Sequence, residues 1–120
     1  MIRMKDGTNI NQRDIFLVLY PFSDLSGSKK RPVLILSKSE FNKRNEDVIC
    51  CLITSNLNYG ADNIGINNKY LENGNLEFES MIKPYNLFYV NKSLIYKKLG
   101  KLNAEKFSEV YNKIINTISL

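Results

Sequence analysis

Three apolar runs, each the length of a β-strand, constrain this chain most. Residues 13–20 read RDIFLVLY, residues 33–37 read VLILS, and residues 48–54 read VICCLIT. All are too short for a typical helix and rich in the branched side chains that suit extended backbone. Their nearly continuous apolar character predicts well-buried strands. Weaker extended segments follow: 63–67, where Ile64 and Ile66 alternate, and 76–83, after an Asn73-Gly74-Asn75 turn. Pro84 is expected to interrupt, with a strand resuming over 87–90. Polar residues 39–45, around Phe41, predict a short helical turn. Near the C-terminus, Ala104, Phe107, Val110, Tyr111, Ile114, Ile115 and Ile118 recur at three- and four-residue steps, the mark of an amphipathic helix. Asn103 suits its N-cap and Glu105 its first turn. Many short strands with one terminal helix point to a mostly β fold, a small and strongly curved sheet. Periodicity leaves both an open sheet and a closed barrel possible. With no repeat or linker, residues 1–120 read as a single domain.

Composition narrows the chemistry. The chain has no histidine, which removes Ser-His-Asp, Cys-His and paired-histidine mechanisms together. Its only cysteines, Cys50 and Cys51, are adjacent. On a strand they point to opposite faces, so a disulfide between them is not expected and one should face the core. Two vicinal thiols cannot build a closed zinc site, so no metal or other cofactor is expected. Seventeen basic residues against twelve acidic ones give a net charge of +5, which favours acidic partners such as nucleic acid. The longest unbroken apolar stretch, 15–20, is far too short for a bilayer, and the polar N-terminus is no secretory signal. A soluble, cytoplasmic protein without a membrane partner is expected.

The candidate site residues gather around two strand ends. Arg31 ends the basic loop SGSKKR at 26–31 and enters the apolar run through Pro32. A guanidinium stays protonated and can pair with two phosphate oxygens, and Pro32 restricts the backbone beneath it. A solvated arginine at a strand start is the plainer alternative. Thr54 and Ser55 close the run 48–54 with hydroxyls, which serve equally well as ordinary strand and turn residues. If the two strand ends meet, guanidinium and hydroxyls form a compact anion site. Ser28, Lys29 and Lys30 would extend its positive field along a phosphodiester backbone. Phe22 and Tyr20 border the loop and could stack on a base, with core packing favoured for Tyr20.

Together these blocks resemble the MazF/PemK family of toxin endoribonucleases. The matching blocks are the opening strand DIFLVLYPF at 14–22, GSKKRPVLILS at 27–37, ITS at 53–55, and a weaker stretch from Ser93 through Leu102 before the final helix. The resemblance implies a small SH3-like barrel with a C-terminal helix, and a toxin of a type II toxin–antitoxin pair. It implies metal-independent cleavage of single-stranded RNA to a 2′,3′-cyclic phosphate and a 5′-hydroxyl. It carries Arg31 over as the essential contact to the scissile phosphate, Thr54 as a catalytic residue and Ser55 as a neighbouring contact. A homodimer and a cognate antitoxin with a flexible acidic tail are implied as well. Some members place an acid, preceded by a basic residue, in a later strand. Here Lys83 keeps the charge, but Tyr85 stands where the acid would be and cannot replace a carboxylate at neutral pH. The family's opening Gly-Asp reads Arg13-Asp14, and a loop histidine of some members is missing. The proton acceptor is thus unassigned, with Asp24 the nearest loop carboxylate. Two other readings stand beside this one: a CcdB-like gyrase poison of the same fold, whose tryptophan this chain lacks, and a catalytically weak RNA-binding barrel.

Overall fold

The structure is a computed structural model and describes residues 9–20 and 29–120. Seven strands form one antiparallel sheet: β1 (Asp14–Tyr20), β2 (Lys29–Ile35), β3 (Asp47–Thr54), β4 (Ile64–Ile66), β5 (Leu71–Gly74), β6 (Ser80–Asn91) and β7 (Ile95–Leu102). Their spatial order is β4-β6-β3-β2-β1-β7-β5. The sheet curls into a half-barrel, with β4 and β5 as its two edges. A short helix, α1 (Ser39–Arg44), joins β2 to β3, and α2 (Ala104–Ile118) ends the chain. The expected curved antiparallel sheet with a C-terminal helix is what the chain forms.

The apolar runs are continuous because the central strands are covered on both faces. Ile15, Leu34, Cys51, Ile53 and Ile82 pack on one face with Val110 of α2. Phe16, Val18, Val33, Ile35, Val48, Cys50, Val90 and Ile95 form a second cluster on the other. Full burial of each such aliphatic side chain is worth roughly 1.5–3 kcal/mol. The two cysteines do point to opposite faces, but both are buried, because both faces are core. Asn103 caps α2 as expected, its side chain accepting from the Lys106 amide at 2.7 Å.

The expected extended segment 76–83 is strand only from Ser80 onward. Two further expectations change along β6 and β7. Pro84 does not interrupt a strand; it lies inside the twelve-residue β6. Pairing with β3 jumps from Cys51↔Leu87 to Leu52↔Lys83. The residues between, Pro84 among them, bulge out of the ladder, where a missing N–H costs nothing. Second, β7 escaped periodicity altogether. Its sequence IYKKLGKL carries three lysines, yet it pairs with β1 along most of its length.

Arg13 explains a departure noted in the sequence. Its φ of 80° lies in the left-handed region, where glycine is the easy occupant. Arginine is held there from several sides. Its amide donates to Ile35 O at 2.9 Å, its carbonyl accepts from Leu102 N at 2.9 Å, and its guanidinium binds Leu102 O and the Glu72 carboxylate. The next residue, Asp14, is fully buried; it accepts from the Asn11 amide at 2.8 Å and faces Lys98 Nζ at 3.3 Å.

Candidate active site

The site is built where two neighbouring strands stop pairing. β2 and β3 pair only over Val33↔Leu52, Leu34↔Cys51 and Ile35↔Cys50. The next residue of β2 is Pro32, which has no N–H to continue the ladder. Continuing the register two steps would set Arg31 opposite Thr54. Beyond Val33 the first half of β2 is held by β1 alone, through Pro32↔Leu17, Arg31↔Val18, Lys30↔Leu19 and Lys29↔Tyr20. The gap opens into a cleft of about 690 Å³. Side chains of either strand parity line it, as splayed strands allow. Pro32, Leu17 and Lys97 form one transverse row across β2, β1 and β7.

Among the described residues five cations line this cleft: Lys29, Lys30 and Arg31 from β2, and Lys97 and Lys98 from β7. Arg31 is half-buried, so its charge sits where water screens it less than on an open surface. Lys30 Nζ stands 4.0 Å above the Tyr96 ring, and Lys98 shares its charge with buried Asp14. Thr54 is 8% exposed, and its hydroxyl oxygen accepts the Asn56 amide at 3.1 Å. That bond uses the oxygen as an acceptor and leaves the hydroxyl proton available to a ligand. Ser55 is an exposed neighbour on the same wall.

The remaining wall comes from far along the chain. Residues 75–79 run from β5, at one edge of the sheet, to β6, near the other. They form a strap across the open side of the half-barrel. Its start is fixed by Gly74, whose φ of 90° takes the chain past Gly100; a Cβ there would stand 2.2 Å from Leu99 O. The Asn75 amide donates to Leu99 O at 2.9 Å, and Asn68 brackets Leu76 through both its amide and its carbonyl. Leu76 is buried in the core, and the Ser80 hydroxyl donates to Phe78 O at 3.0 Å. Between these fixed points Glu77 and Phe78 are exposed and line the cleft, Phe78 at 63%.

The sequence candidates thus fall into three groups. Arg31, Thr54, Ser55, Lys29 and Lys30 are brought to one cleft. Lys29 and Lys30 belong to a strand there, not to the loop the sequence predicted. Lys83 pairs with Leu52 on β6 and is not among the residues lining the cleft, and Tyr85 is exposed on the bulge. Phe22, Asp24 and Ser28 lie outside the described residues. Sequence reasoning missed Glu77, Phe78, Lys97 and the part Lys98 plays; the one local hint was a lysine pair breaking an otherwise apolar segment. Among the described residues, no three His, Cys, Asp or Glu side chains cluster as metal ligands. Nor is any described helix long and apolar enough to cross a membrane.

A family profile, PemK-like, MazF-like toxin of type II toxin–antitoxin system, matches residues 11–118. The chain belongs to this family. No curated protein sequence matches it significantly. Among solved structures it is similar to the Mycobacterium tuberculosis toxin MazF-mt6, with TM-score 0.73 and 22% identity over 90% of this chain and 98% of that one. MazF from Deinococcus radiodurans gives 0.72 and 15% identity, over 96% and 100%. A mycobacterial endoribonuclease in complex with its cognate antitoxin gives 0.70 and 14%, over 93% and 95%. At these identities the likeness is one of fold.

Proposed function

We propose that this PemK/MazF-like toxin is a metal-independent endoribonuclease that cuts single-stranded RNA to a 2′,3′-cyclic phosphate and a 5′-hydroxyl. The observation that carries the reading is the meeting of Arg31 and Thr54 in one cleft lined by four lysines. RNA brings its own nucleophile, the 2′-OH beside each phosphate. The protein then needs to orient that group and stabilise charge on the phosphoryl oxygens. Arg31 supplies two donors in a fixed fork to the phosphate, and the Thr54 hydroxyl donates a further hydrogen bond. Lys29, Lys30 and Lys97 attract the flanking backbone, and Ser55 offers a neighbouring contact. The exposed Phe78 ring gives a splayed base a face to stack on, a role the sequence reading gave to Phe22.

The same reading includes a homodimer, a cognate antitoxin and work in the cytoplasm. Exposed Ile49, Leu87 and Tyr89, neighbours on β3 and β6, supply apolar surface for a second copy. The cationic cleft suits an acidic antitoxin segment, which would compete with RNA for it. The deciding experiment uses a single-stranded RNA with one mapped cut. Replacing the 2′-OH at that site by hydrogen should abolish cutting, and EDTA should leave the all-ribose substrate cut at the normal rate. Cutting of the deoxy substrate, or activity lost to EDTA and restored by a divalent metal, would overturn the mechanism.

A further inference from the structure

We propose that Glu77, on the strap, is the group that takes the proton from the attacking 2′-OH. The inference rests on the ribonuclease reading above and supplies the proton acceptor that reading lacks. Removal of a proton from the 2′-OH needs a base in reach of the phosphate, and the chain has no histidine to serve. Among the described residues, Glu77 is the one carboxylate lining the cleft that holds Arg31 and Thr54. Asp14 and Glu72 are already paired with Lys98 and Arg13, and Glu79, at the end of the strap, lines a different pocket with Tyr59, Tyr70 and Met81. Glu77 has five cations around the same cleft and yet forms no ion pair or hydrogen bond among the described residues. Its carboxylate oxygens therefore remain open to a ligand.

Position strengthens the assignment. The strap is anchored on both sides of Glu77, by the Asn75 amide on Leu99, by Asn68 around Leu76, and by Ser80 on the Phe78 carbonyl. The backbone beneath Glu77 is therefore already placed at the cleft, and only its side chain has to be ordered on substrate binding. Arg31 and Thr54 come from β2 and β3 and line the same cleft, so a phosphodiester bound there can meet charge stabilisers and a base together. In the step itself the 2′-oxygen forms a bond to phosphorus as its proton passes to a Glu77 carboxylate oxygen. The bond from phosphorus to the 5′-oxygen breaks, and the departing oxygen takes a proton from water at the open cleft mouth. Glu77 later returns its proton to solvent.

The test measures kcat and KM for the full chain on a fluorescein-labelled single-stranded RNA spanning one mapped cut. The Glu77→Gln protein should lose kcat on the order of a hundredfold or more, with KM and thermal midpoint nearly unchanged. Glu77→Ala should regain cutting when formate is added, because a small carboxylate can occupy the vacated space. Normal kcat in Glu77→Gln, while the wild type cuts, would overturn the assignment and leave the ribonuclease reading standing. A loss that appears in KM alone, or that formate does not relieve, would equally remove Glu77 as the base. Absence of cutting by the wild-type protein would overturn both.

Discussion

The two halves of β2 stand in sharply different surroundings. Val33 and Leu34 pair on both sides, Ile35 pairs with Cys50 and accepts the Arg13 amide, and all three are fully buried, with side chains feeding the clusters on both faces of the sheet. Lys29 to Pro32 pair on one side only and border open space. One seven-residue strand thus supplies both the frame and the chemistry. Backbone left without a second partner gives room for a ligand, and the fully paired half keeps that room in a fixed shape.

Substitutions along β2 should separate these roles. Arg31→Ala, in the open half, should lower RNA cleavage on the order of a hundredfold or more while the thermal midpoint barely moves. Folded mutant protein with near-normal cleavage would end the division. In the paired half, Leu34→Ala should remove about 2–5 kcal/mol of stability, read by urea unfolding, with cleavage per folded molecule retained. Loss of cleavage without loss of stability there would blur the boundary.

Across the gap, Thr54→Val keeps the shape and deletes the hydroxyl. It strands the Asn56 amide without its acceptor and removes a donor from the cleft. An activity loss of about tenfold, with a stability change of about 1 kcal/mol, is expected from one missing hydrogen bond of each kind. The smallest effect concerns Glu72, which lies outside the cleft. The Arg13 guanidinium holds its carboxyl below the ordinary 4.5. Because the folded form has the lower pKa, its contribution is present above the unfolded value and fades as pH falls through the folded one. Carboxyl NMR titration should show that depression, and Arg13→Ala should remove most of it, leaving only the weaker pull of Lys101.

Much of this was legible in local sequence. β1, the buried half of β2, β3 and α2 announce themselves because continuous apolar runs and a helical period are local signals. Arg31 and Thr54 were visible only as polar groups at the ends of such runs, ordinary strand-end residues on local grounds, and the family resemblance singled them out. β7 and the strap were not legible in this way. Lys97 and Lys98 reach the cleft because β7 crosses back beside β1, and Glu77 because its loop spans from one sheet edge towards the other. Such placements depend on long-range pairing, which no local pattern encodes. Pro84 misled for a related reason: a bulge makes proline acceptable inside a strand, and a bulge is visible only once the partner strand is known.

The buried cysteine pair has a practical consequence. Burial pushes the Cys50 thiol up to about 12, and burial together with its neighbour pushes Cys51 higher still. Thiolate, the reactive form, is therefore scarce in the native protein near neutral pH, and both sulfurs are shielded from reagents. The native chain offers an almost silent background for thiol-directed dyes. A single cysteine introduced at exposed Ser55 would be the dominant labelling target, and a fluorophore there would report in real time what enters and leaves the cleft.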